Sequence, residues 1–214
     1  DLGIPGAKEI RVAKTEGVMD ELEQYNTLNG GGRKLSPSAL NTYLVCSLRF
    51  YFKYIARLKE PEEITGEADL PLFGNILHKA IQLIYAPYAQ KRTAITADEL
   101  KKLEKDQELI SRRIQEAFRE EYFSDIPADK PLELSGKNLL VKDIIFQYIR
   151  QLLRVERKFA PFTPLSLEEE HQTSLRFQAR GGEKEVVLRG SIDRVDEQAE
   201  GIRIIDYKTG QSKG

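Results

Sequence analysis

The hydrophobic period of this chain changes once, and the change follows two prolines. Up to Pro161 and Pro164 the apolar residues recur at helical spacing, and beyond them they alternate as in strands. A helix buries one stripe of its surface and a strand one face, so the two periods cannot be exchanged along one element. Helices first and a strand meander last predict an α+β fold whose site lies on the sheet.

The individual elements follow from local signals. A short strand is expected over 9–13 and a helix around 18–25, before the Gly30-Gly-Gly32 break. Ser36-Pro37 starts a helix, with Ser36 as cap and Pro37 at the first helical position. Leu40, Leu44, Leu48, Tyr51, Ile55 and Leu58 then recur at helical spacing. A second helix is predicted over 72–85. Thr96-Ala-Asp-Glu99 has the form of a capping box and opens a charged helix reaching about Tyr122. A fourth helix, rich in Ile and Leu, covers 137–159. Strands are expected over 165–177, 185–195 and 202–208, joined at Gly181-Gly182 and at 198–201.

Composition narrows the setting. The 214 residues suffice for one well-packed domain, or one with a small appendage. The chain lacks a run of the roughly 18 apolar residues that a membrane span requires. Its first residues lack the pattern of a signal peptide and an initiator Met, which reads as an excised piece of a longer protein. A lone cysteine, Cys46, excludes an internal disulfide and favours a reducing, cytoplasmic location. The 33 basic and 34 acidic residues nearly cancel, so any nucleic-acid surface has to be local.

The chemistry concentrates near the C-terminal end. Residues 190–196 read Gly-Ser-Ile-Asp-Arg-Val-Asp and 204–210 read Ile-Ile-Asp-Tyr-Lys-Thr-Gly. Asp193 and Asp206 flank a turn, and a hairpin of this length brings them to the same region. Asp206 and Lys208, two apart, share a strand face. A carboxylate at the end of an apolar strand costs several kcal/mol unless it is paired or holds a metal. Two close carboxylates suit Mg²⁺ or Mn²⁺, and a neighbouring lysine can stabilise charge developing on phosphate. On the hairpin alone the plainer alternative, a solvated strand pair with ordinary ion pairs, stays open. His78 adds weight to the metal. It lies in Phe73-Gly-Asn-Ile-Leu-His78, with Gly74 one turn earlier leaving room for close approach.

Leu35-Ser-Pro-Ser-Ala-Leu40 with Tyr43 and Cys46, Phe73-Gly-x-x-x-His78, Gly190-x-Ile-Asp-Arg194 and Asp206-Tyr-Lys-Thr-Gly210 occur here in order. Together they resemble the PD-(D/E)XK nuclease superfamily, in its RecB-like and AddB-like branch. The resemblance covers about 35–210 and implies an α+β, restriction-endonuclease-like fold. It divides the chain into a 1–33 strand-helix extension and linker, and a 34–214 nuclease domain without its late helix and strands. It implies His78, Asp193 and Asp206 as metal ligands, the backbone carbonyl of Tyr207 as a further ligand, and Lys208 as the catalytic lysine. Asp193 and Asp206 thereby count as catalytic too. Glu170, in the run Glu168-Glu-Glu-His171, is a further candidate ligand; His171 is expected to be exposed.

The implied activity is Mg²⁺- or Mn²⁺-dependent hydrolysis of DNA, of the exonuclease kind. The implied setting is a helicase–nuclease acting in double-strand break repair and recombination, so DNA and a helicase region or partner subunit are the expected partners. No membrane is expected. The alternative is a DNA-binding or assembly module that keeps the fold without cleaving. Two departures from the family stand out. The chain has no Gln-x-x-x-Tyr helix after Lys208, and no late cysteines to build an iron–sulfur cluster with Cys46. Such a cluster is not supported by these residues, and Cys46 reads more simply as a buried helix cysteine. Arg49, Lys53 and Arg57 form a basic stripe beside Phe50 and Tyr54. The stripe reads either as a DNA-binding surface or as a solvated helix face. Arg194 is a candidate phosphate contact or a partner for acidic groups.

Overall fold

A computed structural model describes residues 10–59, 70–124, 127, 130 and 132–209. Within these, seven α-helices precede a three-stranded sheet of order β1-β2-β3. The α+β expectation is met. Contacts divide the chain into two units, one of residues 1–62 with 170–190 and one of 63–169 with 191–214, so the division falls inside the two long strands.

The first unit holds α1 (Glu16–Glu23), α2 (Pro37–Val45) and α3 (Ser47–Phe50), the last running into a π-helical turn over Tyr51–Ile55. It also holds the outer parts of β1 (Thr163–Ala179) and β2 (Gly182–Gln198). Its core is Tyr25, Ala39, Phe50 and Ile55, with Val18, Leu22 and Val186 packed around them. Ser36 caps α2 as expected, its hydroxyl accepting from the Ala39 N–H at 3.0 Å. Just before the cap, Leu35 exchanges hydrogen bonds with β2, donating to the Val187 carbonyl and accepting from the Arg189 N–H, both at 2.9 Å.

Two expectations fail in this unit. Residues 10–13 form no strand. The helix expected from Ser36 through Leu58 breaks at Cys46, whose extended backbone lets its sulfur cap α3 by accepting from the Arg49 N–H at 3.4 Å. The break resets the helical phase. Phe50 and Ile55 turn inward after it, Ile55 as expected, whereas Leu44 before it and Leu58 are exposed, and Cys46 is exposed rather than buried.

The second unit holds α4 (Leu70–Lys91), α5 (Ala97–Lys105), α6 (Gln107–Glu121), α7 (Lys137–Glu156), the inner parts of β1 and β2, and β3 (Gly201–Ile205). Helix α4 runs past its expected end and carries Pro87 inside it. Thr96 and Glu99 form the expected capping box. The charged helix is two helices, divided at Asp106, which ends α5 and caps α6 by accepting from the Leu109 N–H at 2.9 Å. Ile76, Ile81, Tyr85, Leu100, Ile114, Ile145, Leu153 and Phe162 form the core. Burying such side chains contributes about 1.5–3 kcal/mol each before the entropy of ordering them is set against it. Strands β2 and β3 pair antiparallel, with Arg194 opposite Ile205 and Asp196 opposite Arg203. No helix among the described residues is long and apolar enough to cross a membrane.

Candidate metal centre

Three ligand atoms from three elements of the second unit converge. His78 comes from α4, Glu168 from β1 and Asp193 from β2, and their donor atoms all lie within 4.8 Å of one another. The helix delivers the histidine because Ile76, Leu77, Ala80 and Ile81 around it are buried, which fixes the rotation of α4. His78 Nδ1 stands 3.5 Å from a Glu168 oxygen and 3.6 Å from Asp193 Oδ2. Its Nε2 lies 3.0 Å from the Tyr207 carbonyl. That carbonyl can only accept, so Nε2 carries a proton and Nδ1 is left to face the acids. Gly74 borders the same region, where a Cβ would meet Thr209 Oγ1 at 3.4 Å, an ordinary contact.

The register of β2 and β3, continued by one residue, sets Asp193 opposite Asp206. The chain past β3 then bends so that the Tyr207 N–H donates to Asp193 Oδ2 at 2.5 Å. Burial pushes the Asp193 carboxyl upward, and Glu168 and Asp206 add to the push against the pull of that N–H and of His78. The hydrogen bond to Glu168 raises His78, partly offset by burial. A desolvated acid, a second acid and an imidazole nitrogen facing one point form an oxygen-and-nitrogen donor set for a divalent cation. The residues present fit the metal.

The sequence candidates fall in several places. His78 and Asp193 come together. Asp206 lies outside the converging trio, exposed and bonded to Lys208 at 2.7 Å, a contact that holds the lysine pKa above its ordinary value. The Tyr207 carbonyl is occupied in orienting His78. Glu170 is ion-paired with Arg189, while Glu168 is the acid in the trio. At Glu168 the backbone turns to φ 51°, which interrupts the alternation expected to place 168 and 170 on one face. Nothing in the sequence signals that interruption.

Of the two roles expected for Arg194, phosphate contact or partner for acidic groups, the structure shows the second. Arg194 has no exposed surface, so it does not reach a phosphate; its partners are Glu156 and Asp196. Glu156 escaped the sequence reading, although a signal existed: it continues the buried α7 stripe of Ile145, Ile149 and Leu153 at helical spacing. Of the basic stripe, Arg49 and Lys53 are exposed and Lys53 lies 5.6 Å over the Tyr54 ring. Arg57 is 3.9 Å from Glu21. The π-helical turn separates these residues from a regular i, i+4 row, and Phe50 is core rather than a stacking surface. His171 is exposed, as expected.

A model of the PD-(D/E)XK nuclease superfamily matches residues 34–214. The chain is 31% identical over 195 residues to an ATP-dependent helicase/deoxyribonuclease subunit from Carboxydothermus hydrogenoformans, covering 83% of this chain and 16% of that protein. It is 28% identical to the proteins of the same name from Streptococcus equi subsp. zooepidemicus (82% of this chain, 14% of that one) and Streptococcus uberis (83% and 14%). The chain thus spans about one sixth or less of the length of these relatives. It belongs to the PD-(D/E)XK nuclease superfamily.

Proposed function

We propose that this member of the superfamily is a divalent-metal-dependent deoxyribonuclease domain, working within a helicase–nuclease of the kind its relatives are named for, in double-strand break repair and recombination. The observation that carries the reading is the convergence of His78, Glu168 and Asp193, with Asp206 and Lys208 beside them. A bound Mg²⁺ or Mn²⁺ supplies Lewis acidity at the scissile phosphate and acidifies water. His78 Nδ1 and the Glu168 and Asp193 carboxylates would hold the cation, with the Asp206 carboxylate opposite Asp193 available beside them. The Tyr207 peptide orients two of these ligands, its carbonyl fixing the His78 ring and its N–H fixing Asp193. Lys208, an exposed ammonium bonded to Asp206 at 2.7 Å, would serve as a cation that stabilises charge building on phosphate. Exposed Arg49 and Lys53 supply backbone contacts to DNA.

The test is degradation of labelled DNA with Mg²⁺ or Mn²⁺, in this chain and in the full-length protein that contains it. Asp193→Ala and Lys208→Ala are each expected to lower the rate about a hundredfold or more. Activity equal to wild type in both variants would overturn the reading.

A further inference from the structure

A fully buried guanidinium of the second unit lies beside the candidate metal centre and takes no part in it. Arg194 is fully buried, as is Asp196, and Glu156 nearly so. One Arg194 Nη bonds to Glu156 and lies 3.1 Å from Asp196 Oδ2, while Nε stands 3.0 Å from Asp196 Oδ1. Asp196 is held in turn by Arg203, at 2.6 and 3.2 Å, and Glu156 accepts from the Tyr85 hydroxyl. The planar guanidinium is also enclosed by rings, with its central carbon 4.3 Å from the Tyr85 centroid, 5.1 Å from Phe162 and 5.8 Å from Tyr207.

Burying these charges costs several kcal/mol per ion, and well-packed apolar residues often replace such a group without loss of stability. Stability alone therefore explains the cluster poorly. Its placement suggests more. Tyr85 lies two turns after His78 on α4, Phe162 six residues before Glu168, and Arg194 immediately after Asp193. Tyr207 is itself the peptide that orients His78 and Asp193. One side chain thus contacts every segment that contributes to the metal centre, each within seven residues of the group delivered. A guanidinium whose one Nη is shared between two carboxylates, and whose plane requires rings on its faces, ties those segments together more specifically than apolar packing does.

We propose that Arg194 is a positioning residue for the metal centre: its shared bonds to Glu156 and Asp196 and its enclosing rings set the relative placement of His78, Glu168, Asp193 and Tyr207, and so the affinity for a divalent cation. The inference rests on the metal-site reading above. Arg194→Lys keeps the charge and removes the planar group that lies among the rings. Mn²⁺ alone is titrated calorimetrically into this chain, with the melting temperature read in parallel.

Arg194→Lys is expected to melt cooperatively and to bind Mn²⁺ about tenfold or more weakly. Should it not fold, Glu156→Gln, which weakens the same contact from the other side, is measured in its place with the same expectation. Ile114→Val, a core truncation in α6, is expected to lower the melting temperature with the Mn²⁺ affinity unchanged within about twofold. Wild-type Mn²⁺ affinity in the Arg194 or Glu156 variant overturns the proposal. So does an equal loss of affinity, degree for degree of melting temperature, in Ile114→Val. Asp193→Ala separates the two readings: if it binds Mn²⁺ as wild type does, the metal site itself is wrong and the positioning role falls with it.

Discussion

Glu168 and Glu170 differ in sequence only by two places along one strand, yet they make different contacts. Glu168 sits at φ 51°, a left-handed conformation that non-glycine residues adopt at a cost of order 1–3 kcal/mol. Its carboxylate stands against His78 Nδ1, whereas Glu170 is bound to Arg189. The exposed Glu170–Arg189 pair is worth little, while Glu168 is one of three donors. Glu168→Gln is therefore expected to weaken Mn²⁺ binding about tenfold or more, and Glu170→Gln to leave it within about twofold. Calorimetric titration checks both; the opposite ranking would restore Glu170 as the ligand. The sequence carried His78, Asp193, Asp206 and Lys208 because each stands in a motif whose residue types have chemical reasons. It could not choose among three consecutive acids, because the choice depends on one backbone angle that strand alternation does not encode. For Arg194 the sequence left phosphate contact and acidic partner side by side, and only the fold decides between them, by setting carboxylates from α7 and β2 against it in the core.

Among the elements, starts were more legible than breaks. Ser36 and Thr96 are recognisable caps because a short hydroxyl side chain followed by a helical run satisfies otherwise orphaned N–H groups. The division at Asp106 was hidden because buried Leu103 and Ile110 are seven residues apart, two whole turns, so the apolar stripe keeps phase across the break. Cys46 hid the other break, since cysteine is a weak cap and nothing marks it as one. Two motifs recognised separately prove to be one contact. A Cβ on Gly190 would meet the Cδ and Cγ of Pro37 at 3.1 Å, tighter than ordinary packing. The ring cannot easily yield. Pro37 begins α2, and Leu35 just before it is hydrogen-bonded to residues 187 and 189 of the same strand. Gly190→Ala is expected to cost about 1–3 kcal/mol of stability in urea denaturation. Pro37→Ala should recover much of that loss in the double variant, because the clash requires both partners. Additive losses would mean that Gly190 serves another purpose.

For the molecule as a whole, the proposed metal centre should make stability depend on pH in opposite senses with and without the cation. His78 and Asp193 both have folded-state pKa values above their ordinary 6.5 and 3.8, His78 through its bond to Glu168 and Asp193 through burial. In each case folding favours the protonated form. That contribution is fully present below the ordinary value and is lost as pH rises through the folded one. In chelator, then, the part of the melting temperature owed to His78 should decline as pH climbs above 6.5, and His78→Gln should flatten the decline. A cation requires the same groups deprotonated, so its binding strengthens over the range in which the proton's contribution fades. A ligand that binds only the folded chain stabilises it by about 2.7 kcal/mol at a hundred times its dissociation constant. The melting temperatures with Mn²⁺ and with chelator should therefore lie close together at about pH 5.5 and separate progressively toward about pH 8. A separation of the same size at both ends would mean that Mn²⁺ binds somewhere other than His78 and Asp193. A separation that opens with pH in wild type and vanishes in Asp193→Ala would place the cation between the helix and the sheet, where the three donors converge.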